Sequence, residues 1–191
     1  LRCKMCGQVD GVDNAHNSCG ALKGPLPIES IKPCINELTS LKNVYLCGGE
    51  PLLYSEIIPL LEYLQKKKLR FSFSTNGLLL KRFAPAIVDT QVSQIFVSID
   101  SHNEKIHDAI RGKEGAFKTS LLALDRVFDE RKKRGSKKPR VNAQFTITPD
   151  NYRSLINYYD FFAGEFPEIA SIIFHFPRFA TRAMGEEYMR I

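Results

Sequence analysis

Three stretches of this chain run from apolar residues into small polar groups or bare backbone, and each could do chemistry. The first is Val44-Tyr45-Leu46-Cys47-Gly48-Gly49-Glu50-Pro51, a run of strand character ended by two glycines, a carboxylate and a proline. Gly48 and Gly49 carry no Cβ, so another molecule can lie directly on the backbone. Glu50 sets a negative charge beside it, suited to a ligand ammonium, and Pro51 lacks an N–H, which leaves a carbonyl-rich rim. The second stretch, Arg70 to Ser74, leads into Thr75-Asn76-Gly77, and the third, Gln94 to Val97, leads into Ser98-Ile99-Asp100-Ser101. Near the start, Cys3 and Cys6 form a C-x2-C pair, a spacing that holds a metal rather than a disulfide framework.

The elements that must position these groups alternate between helix and strand. Helices are expected from near Lys32, with Pro33 in the first turn and Ile31, Ile35, Leu38 and Leu41 on one face, and from Ser55 to Lys67, with Ser55 as cap and Ile57, Ile58, Leu61 and Leu64 buried. A shorter helix covers Leu80 to Val88. The longest opens at Gly115-Ala116-Phe117 and buries Phe117, Leu121, Leu124 and Phe128. A last one, capped by Asn151 or Asp150, carries Leu155, Ile156, Tyr159 and Phe162. Residues 7–27 and 102–115 read as irregular, and the tail through Arg178 and Arg182 carries no helix.

Strands are expected at Val44–Cys47, Phe71–Ser74, Gln94–Ile99, Val141–Thr148 and Ser171–Phe176. The spacing of on the order of twenty residues or more between strands leaves room for helical crossovers. The pattern is an α/β fold with one parallel sheet, which puts the three polar stretches at the strand ends where ligands bind in such folds.

Taken together and in this order, the residues resemble the radical S-adenosylmethionine (radical SAM) enzymes, a family with a C-x3-C-x2-C loop after its first strand and a G-G-E-P turn after its second. Leu1 to Cys6 match the last six positions of the loop, so the resemblance puts the first cysteine two residues before Leu1. It implies a partial (β/α)6 TIM-like barrel lacking its first strand, with residues 1–191 forming one core domain. It further implies that Cys3 and Cys6 ligate a [4Fe-4S] cluster. Gly48, Gly49, Glu50 and Pro51 hold the methionyl end of S-adenosylmethionine, and Ser98 of the S-x-D sequence, with Asp100, reaches the ribose or carboxylate. Ser74, Asn76 and Arg111 join this set, Arg111 as a bidentate partner of the carboxylate. Asn142 and Gln144 touch adenosine or substrate. The activity implied is reductive cleavage of S-adenosylmethionine and removal of a hydrogen atom from a peptide or small metabolite, with flavodoxin or ferredoxin as electron donor. His107-Asp108 through Arg111-Gly112 to Phe117 is similar to the branch that often carries SPASM or twitch extensions.

The net charge of +6 gathers in Arg131–Arg140. No aromatic residues interleave there, so a solvated helix end explains it better than nucleic-acid binding. No apolar run is long enough to span a membrane, and the close cysteine pair fits a reducing cytoplasm. Cys34 and Cys47 read as packed core thiols, His107 as a locally bonded histidine, and His175 as one facing the barrel interior or held structurally. A second function also fits the front end: Cys3, Cys6, His16 and Cys19 are four ligands of the right kind for structural zinc, which would make the chain a zinc-stabilised binding module.

Overall fold

A computed structural model of the chain describes Leu1, Cys3 and residues 25–176. The expected roles of Cys6, His16 and Cys19, the loop before Pro25 and the tail through Arg178 and Arg182 lie outside the described residues. Five strands form one sheet: β1 (Asn43–Leu46), β2 (Arg70–Thr75), β3 (Gln94–Ser98), β4 (Arg140–Thr146) and β5 (Ser171–His175). They lie in chain order and every neighbouring pair is parallel. Each connection carries a helix, as parallel pairing requires. These are α2 (Ile57–Lys66), α3 (Leu80–Asp89), α4 (Glu104–Arg111) with α5 (Ala116–Lys133), and α6 (Leu155–Glu165), while α1 (Ile28–Glu37) precedes β1.

Alternation along each strand sorts the sheet into two faces. Phe71, Phe73, Ile95, Val97, Val141, Ala143 and Phe145 point to the helices and are fully or almost fully buried. Burying one such aliphatic or aromatic side chain contributes about 1.5–3 kcal/mol, so this face supplies the core. The opposite face carries Tyr45, Ser74, Phe96, Ser98, Asn142, Gln144 and His175. Among the described residues no helix is long and apolar enough to cross a membrane.

Several local expectations are corrected. Helix α1 begins at Ile28, whose N–H donates to Glu56 Oε2 at 2.9 Å, and Pro33 lies inside it. A surface helix burying only Ile28 tolerates that missing bond, because water can take the freed carbonyl. Leu38 is exposed at its end. Ser55 does not cap α2, which starts two residues later and buries Ile57, Leu60, Leu61 and Leu64, leaving Ile58 on the outside. Cys34 and Cys47 are exposed rather than packed: Cys34 lies on the open side of α1, and Cys47 follows the last residue of the edge strand β1.

The stretch expected to be irregular before Gly115 contains α4. Asn103 Oδ1 accepts from the Lys105 and Ile106 N–H groups to start it, and Gly112, at φ 64°, ends it. At eight residues the helix shows its apolar stripe only in Ile106 and Ile110, a window too short to tell it from a loop in the sequence. Asp108 on α4 then caps α5, its carboxylate accepting from Gly115 N at 2.6 Å and Phe117 N at 2.8 Å. Asn151 caps no helix through its side chain; Nδ2 donates instead to the Asp100 and Thr146 carbonyls.

The turn after β2 depends on Gly77. Its φ is +84°, and a Cβ there would meet Ser120 Oγ at 2.6 Å and Val97 Cγ1 at 3.3 Å. Left-handed backbone and a closely packed α5 thus both demand glycine. Gly77→Ala is expected to lower unfolding free energy by about 2–4 kcal/mol in urea titrations, against little change for Gly135→Ala beyond backbone strain.

Candidate functional site at the C-terminal edge of the sheet

Parallel pairing in chain order brings the three polar stretches to one edge. Gly48 has φ +137°, and a Cβ placed on it would meet none of the described residues within 4 Å, so its backbone is open on that side. Beyond it, Glu50 begins a short 3-10 turn, Pro51–Leu53, with Pro51 at the first position, where its missing N–H costs nothing.

The Glu50 carboxylate does more than flank that turn. Oε1 accepts from Leu52 N at 3.1 Å and Thr75 Oγ1 at 2.8 Å, and Oε2 accepts from Asn76 N at 2.7 Å. It therefore ties the end of β1 to the end of β2. A carboxylate has roughly four lone-pair sites, so one remains for a cation. Thr75 was not foreseen: its alternation places it on the core face, 2% exposed, yet its hydroxyl completes the tie and accepts in turn from Gly77 N. Asn76 is held by its Oδ1 accepting from Leu78 N and by its carbonyl accepting from Ser120 Oγ. The Ser98 hydroxyl, half-buried at the end of β3, has no partner among the described residues.

Asp100 is fully buried. Its Oδ1 accepts from Thr146 N at 2.8 Å, and Oδ2 makes a close ion pair with Arg111 Nη2 at 2.6 Å, without linear hydrogen-bond geometry. Burial pushes this carboxyl above its ordinary range, against the pull of Arg111 and the Thr146 N–H. Its backbone is held as well, its N–H donating to His107 Nδ1 at 3.0 Å and its carbonyl accepting from Asn151. His107 is thus the locally bonded histidine expected, buried against Phe117. The other arm of Arg111 reaches the chain's front end, with Nη1 3.9 Å from Cys3 Sγ. This contact places a half-buried free thiol at the same sheet edge.

Below the strand ends, a row of hydrogen bonds crosses the inner face. The Tyr45 hydroxyl meets Ser74 Oγ, Ser74 Oγ donates to Gln144 Oε1 at 3.0 Å, and Gln144 Nε2 donates to His175 Nε2 at 3.3 Å. Ser74 and Gln144 are brought together there, and His175 lies exposed on the same face, held by Gln144. Asn142 is 2% exposed and binds the β3 and β5 neighbours through Ile95 O and Ser171 Oγ, so it serves the sheet.

The Radical SAM superfamily profile matches residues 1–161. This chain belongs to the radical SAM superfamily. The Fe-coproporphyrin III synthase of Methanosarcina barkeri is 31% identical over 160 residues, 82% of this chain and 38% of that protein. The mycofactocin maturase MftC of Mycolicibacterium smegmatis is 30% identical over 105 residues, 53% of this chain and 26% of that one. The chain therefore spans less than half the length of these curated relatives. Streptococcus suis SuiB bound to S-adenosylmethionine superposes with a TM-score of 0.74 over the whole chain, at 16% identity and 40% of its own length. That likeness establishes the fold: the sheet and its helices form the partial TIM-like barrel of the radical SAM core.

Burial, with the nearby Arg111 charge, pushes His107 down to about 4, so its imidazole is neutral in the folded chain. The unfolded chain takes up a proton near 6.5 and the folded chain only near 4. The stabilisation from neutral His107 is therefore complete above pH 6.5 and lost as pH falls through 4. A proton-detected titration of His107 should show no midpoint above pH 5, and the histidine should account for a stability loss on the order of 3 kcal/mol across that window.

Proposed function

We propose that this chain is the core of a radical SAM enzyme that binds S-adenosylmethionine and a [4Fe-4S] cluster at the C-terminal edge of its sheet. One observation carries the reading. The open backbone at Gly48, the unfilled lone-pair site on Glu50 and the Cys3 thiol beside Arg111 meet at one edge, although they come from distant parts of the sequence.

The residues present fit both groups. Cys3 is a free thiol at the edge, and Cys6 would supply the second thiolate; three-cysteine ligation leaves one iron open. Gly48 and Gly49 offer bare backbone to the methionyl end, with Glu50 opposite its ammonium and Pro51 stiffening the turn. Ser98 offers an unpaired hydroxyl, and Asn76 stands on the adjoining turn, both within the same polar edge. When bound, the reduced cluster supplies an electron that cleaves S-adenosylmethionine and so permits removal of a hydrogen atom from substrate. The chain's own part is to bind and orient. Glu50 neutralises the ammonium while its ties to Thr75 and Asn76 keep the two turns from moving apart. Asp100 touches no ligand in this scheme, since it is buried with partners on both oxygens. The inner row from Tyr45 through Ser74 and Gln144 to His175 faces the reacting groups and contacts adenosine or substrate. Similar proteins named a maturase and a porphyrin synthase support a peptide or a small metabolite as substrate. Flavodoxin or ferredoxin as reductant follows only from the family's general chemistry.

Structural zinc on Cys3, Cys6, His16 and Cys19, the alternative that the ligand types allow, is not favoured by the family match over residues 1–161. Metal analysis and visible absorption of anaerobically prepared full-length protein separate the two. We expect iron and sulfide, with 5′-deoxyadenosine formed on adding dithionite and S-adenosylmethionine. Iron should be lost in Cys3→Ala and Cys6→Ala and unchanged in Cys34→Ala and Cys47→Ala. Zinc without iron, abolished by His16→Ala, would sink the proposal.

Glu50→Gln should weaken S-adenosylmethionine binding about ten- to a hundredfold in equilibrium dialysis, as expected for a lost charge-assisted hydrogen bond of about 1.5–3 kcal/mol. Thr75→Val removes one strand tie but keeps the charge, so it should lower thermal stability more than it lowers affinity. Equal affinities for wild type and Glu50→Gln would take Glu50 out of the site.

A further inference from the structure

We infer that Arg111 is a positioning residue for the cluster: anchored on Asp100, its guanidinium holds Cys3 at the sheet edge, donates to that sulfur and so raises the cluster's reduction potential. The inference rests on reading the front end as a [4Fe-4S] site. It departs from the sequence expectation, which gives Arg111 to the carboxylate of S-adenosylmethionine.

The anchor comes first. Asp100 is held from several directions, by Thr146 N on its carboxylate, by His107 on its N–H and by Asn151 on its carbonyl. Arg111 is the last residue of α4, which Gly112 ends in left-handed conformation, and its side chain runs back to the strand end with only 9% exposed. Nη2 lies 2.6 Å from Asp100 Oδ2 and Nη1 lies 3.9 Å from Cys3 Sγ, across 108 residues of sequence. Nε is buried without a hydrogen-bond partner among the described residues. Turning both terminal nitrogens to a ligand carboxylate would strip a fully buried Asp100 of its counter-charge. A guanidinium spans carboxylate and sulfur at fixed angles; an ammonium cannot.

The consequence is electrochemical. An N–H donor and a positive charge beside a ligating sulfur favour the reduced, more negative state of an iron–sulfur cluster and so raise its potential. Asp100 acts through Arg111, by fixing where that charge sits.

The test uses anaerobically reconstituted full-length protein as wild type, Arg111→Gln, Arg111→Lys and Asp100→Asn. Each is measured for iron content, midpoint potential by a redox titration followed by electron paramagnetic resonance, and S-adenosylmethionine affinity by equilibrium dialysis. Arg111→Gln should shift the midpoint to more negative potential, with Arg111→Lys and Asp100→Asn shifted less in the same direction, while affinity stays at the wild-type value. Arg111→Lys cannot span both groups, so its ammonium stays with the buried Asp100 and the sulfur loses its donor; its potential decides the matter should Arg111→Gln fail to fold. A wild-type midpoint in Arg111→Gln or, failing that, in Arg111→Lys, above all with weakened S-adenosylmethionine binding, overturns the inference and returns Arg111 to the carboxylate. That result leaves the enzyme assignment standing, whereas absence of iron from the wild type overturns both.

Discussion

The buried carboxylate of Asp100 is the constraint on which the rest of this edge depends. A parallel sheet ends its strands in loops whose backbone groups lack ladder partners, and a ligand site built there must satisfy them in some other way. Asp100 does so for β3 and β4 together, taking the Thr146 N–H while its own backbone is held by His107 and Asn151. A fully buried carboxylate requires a counter-charge, and only Arg111 supplies one among the described residues. The helix that carries Arg111 and His107 is therefore bound to the sheet by charge as well as by packing. Asp108 on the same helix then caps α5. One short helix thus links strand end, long helix and cysteine-bearing segment.

Glu50 plays the corresponding part for β1 and β2. Its ties to Leu52, Thr75 and Asn76 leave room for one further donor, so the groups that fix the turn also define what can bind there. The carboxylate is oriented before any ligand arrives, which reduces the ordering cost of binding. Gly77, pressed against Ser120, sets how closely the turn after β2 approaches α5 and hence where Asn76 stands. The two acidic residues differ in setting: Asp100 is sealed in and structural, while Glu50 is half-buried at the sheet edge.

Much of this was legible in the chain because it is local. Strand runs, glycine punctuation and the alternation in β4 depend on residues a few positions apart, and all five strands fall where they were expected. The failures are equally physical. Helix α4 is amphipathic but only eight residues long, so its apolar stripe rests on Ile106 and Ile110 alone, too short a window to separate it from a loop. Helix α1 starts four residues before Lys32, which puts Pro33 inside it. Cys34 and Cys47 read as core thiols from residue type alone, yet lie exposed on α1 and beyond β1. Alternation assigns Thr75 to the core, and only the fold turns its hydroxyl to Glu50 at the strand end.

By itself the sequence determined the α/β order, the parallel sheet and the family, since each follows from motif spacing and from the length of connection that parallel strands need. It also determined that Gly48, Glu50, Asn76 and Ser98 stand at one sheet edge, because each follows a strand in the same direction. Only the tertiary structure decided what those groups do there. Whether Arg111 meets a ligand, Asp100 or Cys3 depends on where a helix end lies relative to two other segments, across 108 residues in the case of Cys3. Long-range electrostatic pairing leaves no periodic trace in the chain: one arginine satisfies a buried carboxylate from any position that geometry allows, and only the folded arrangement selects which.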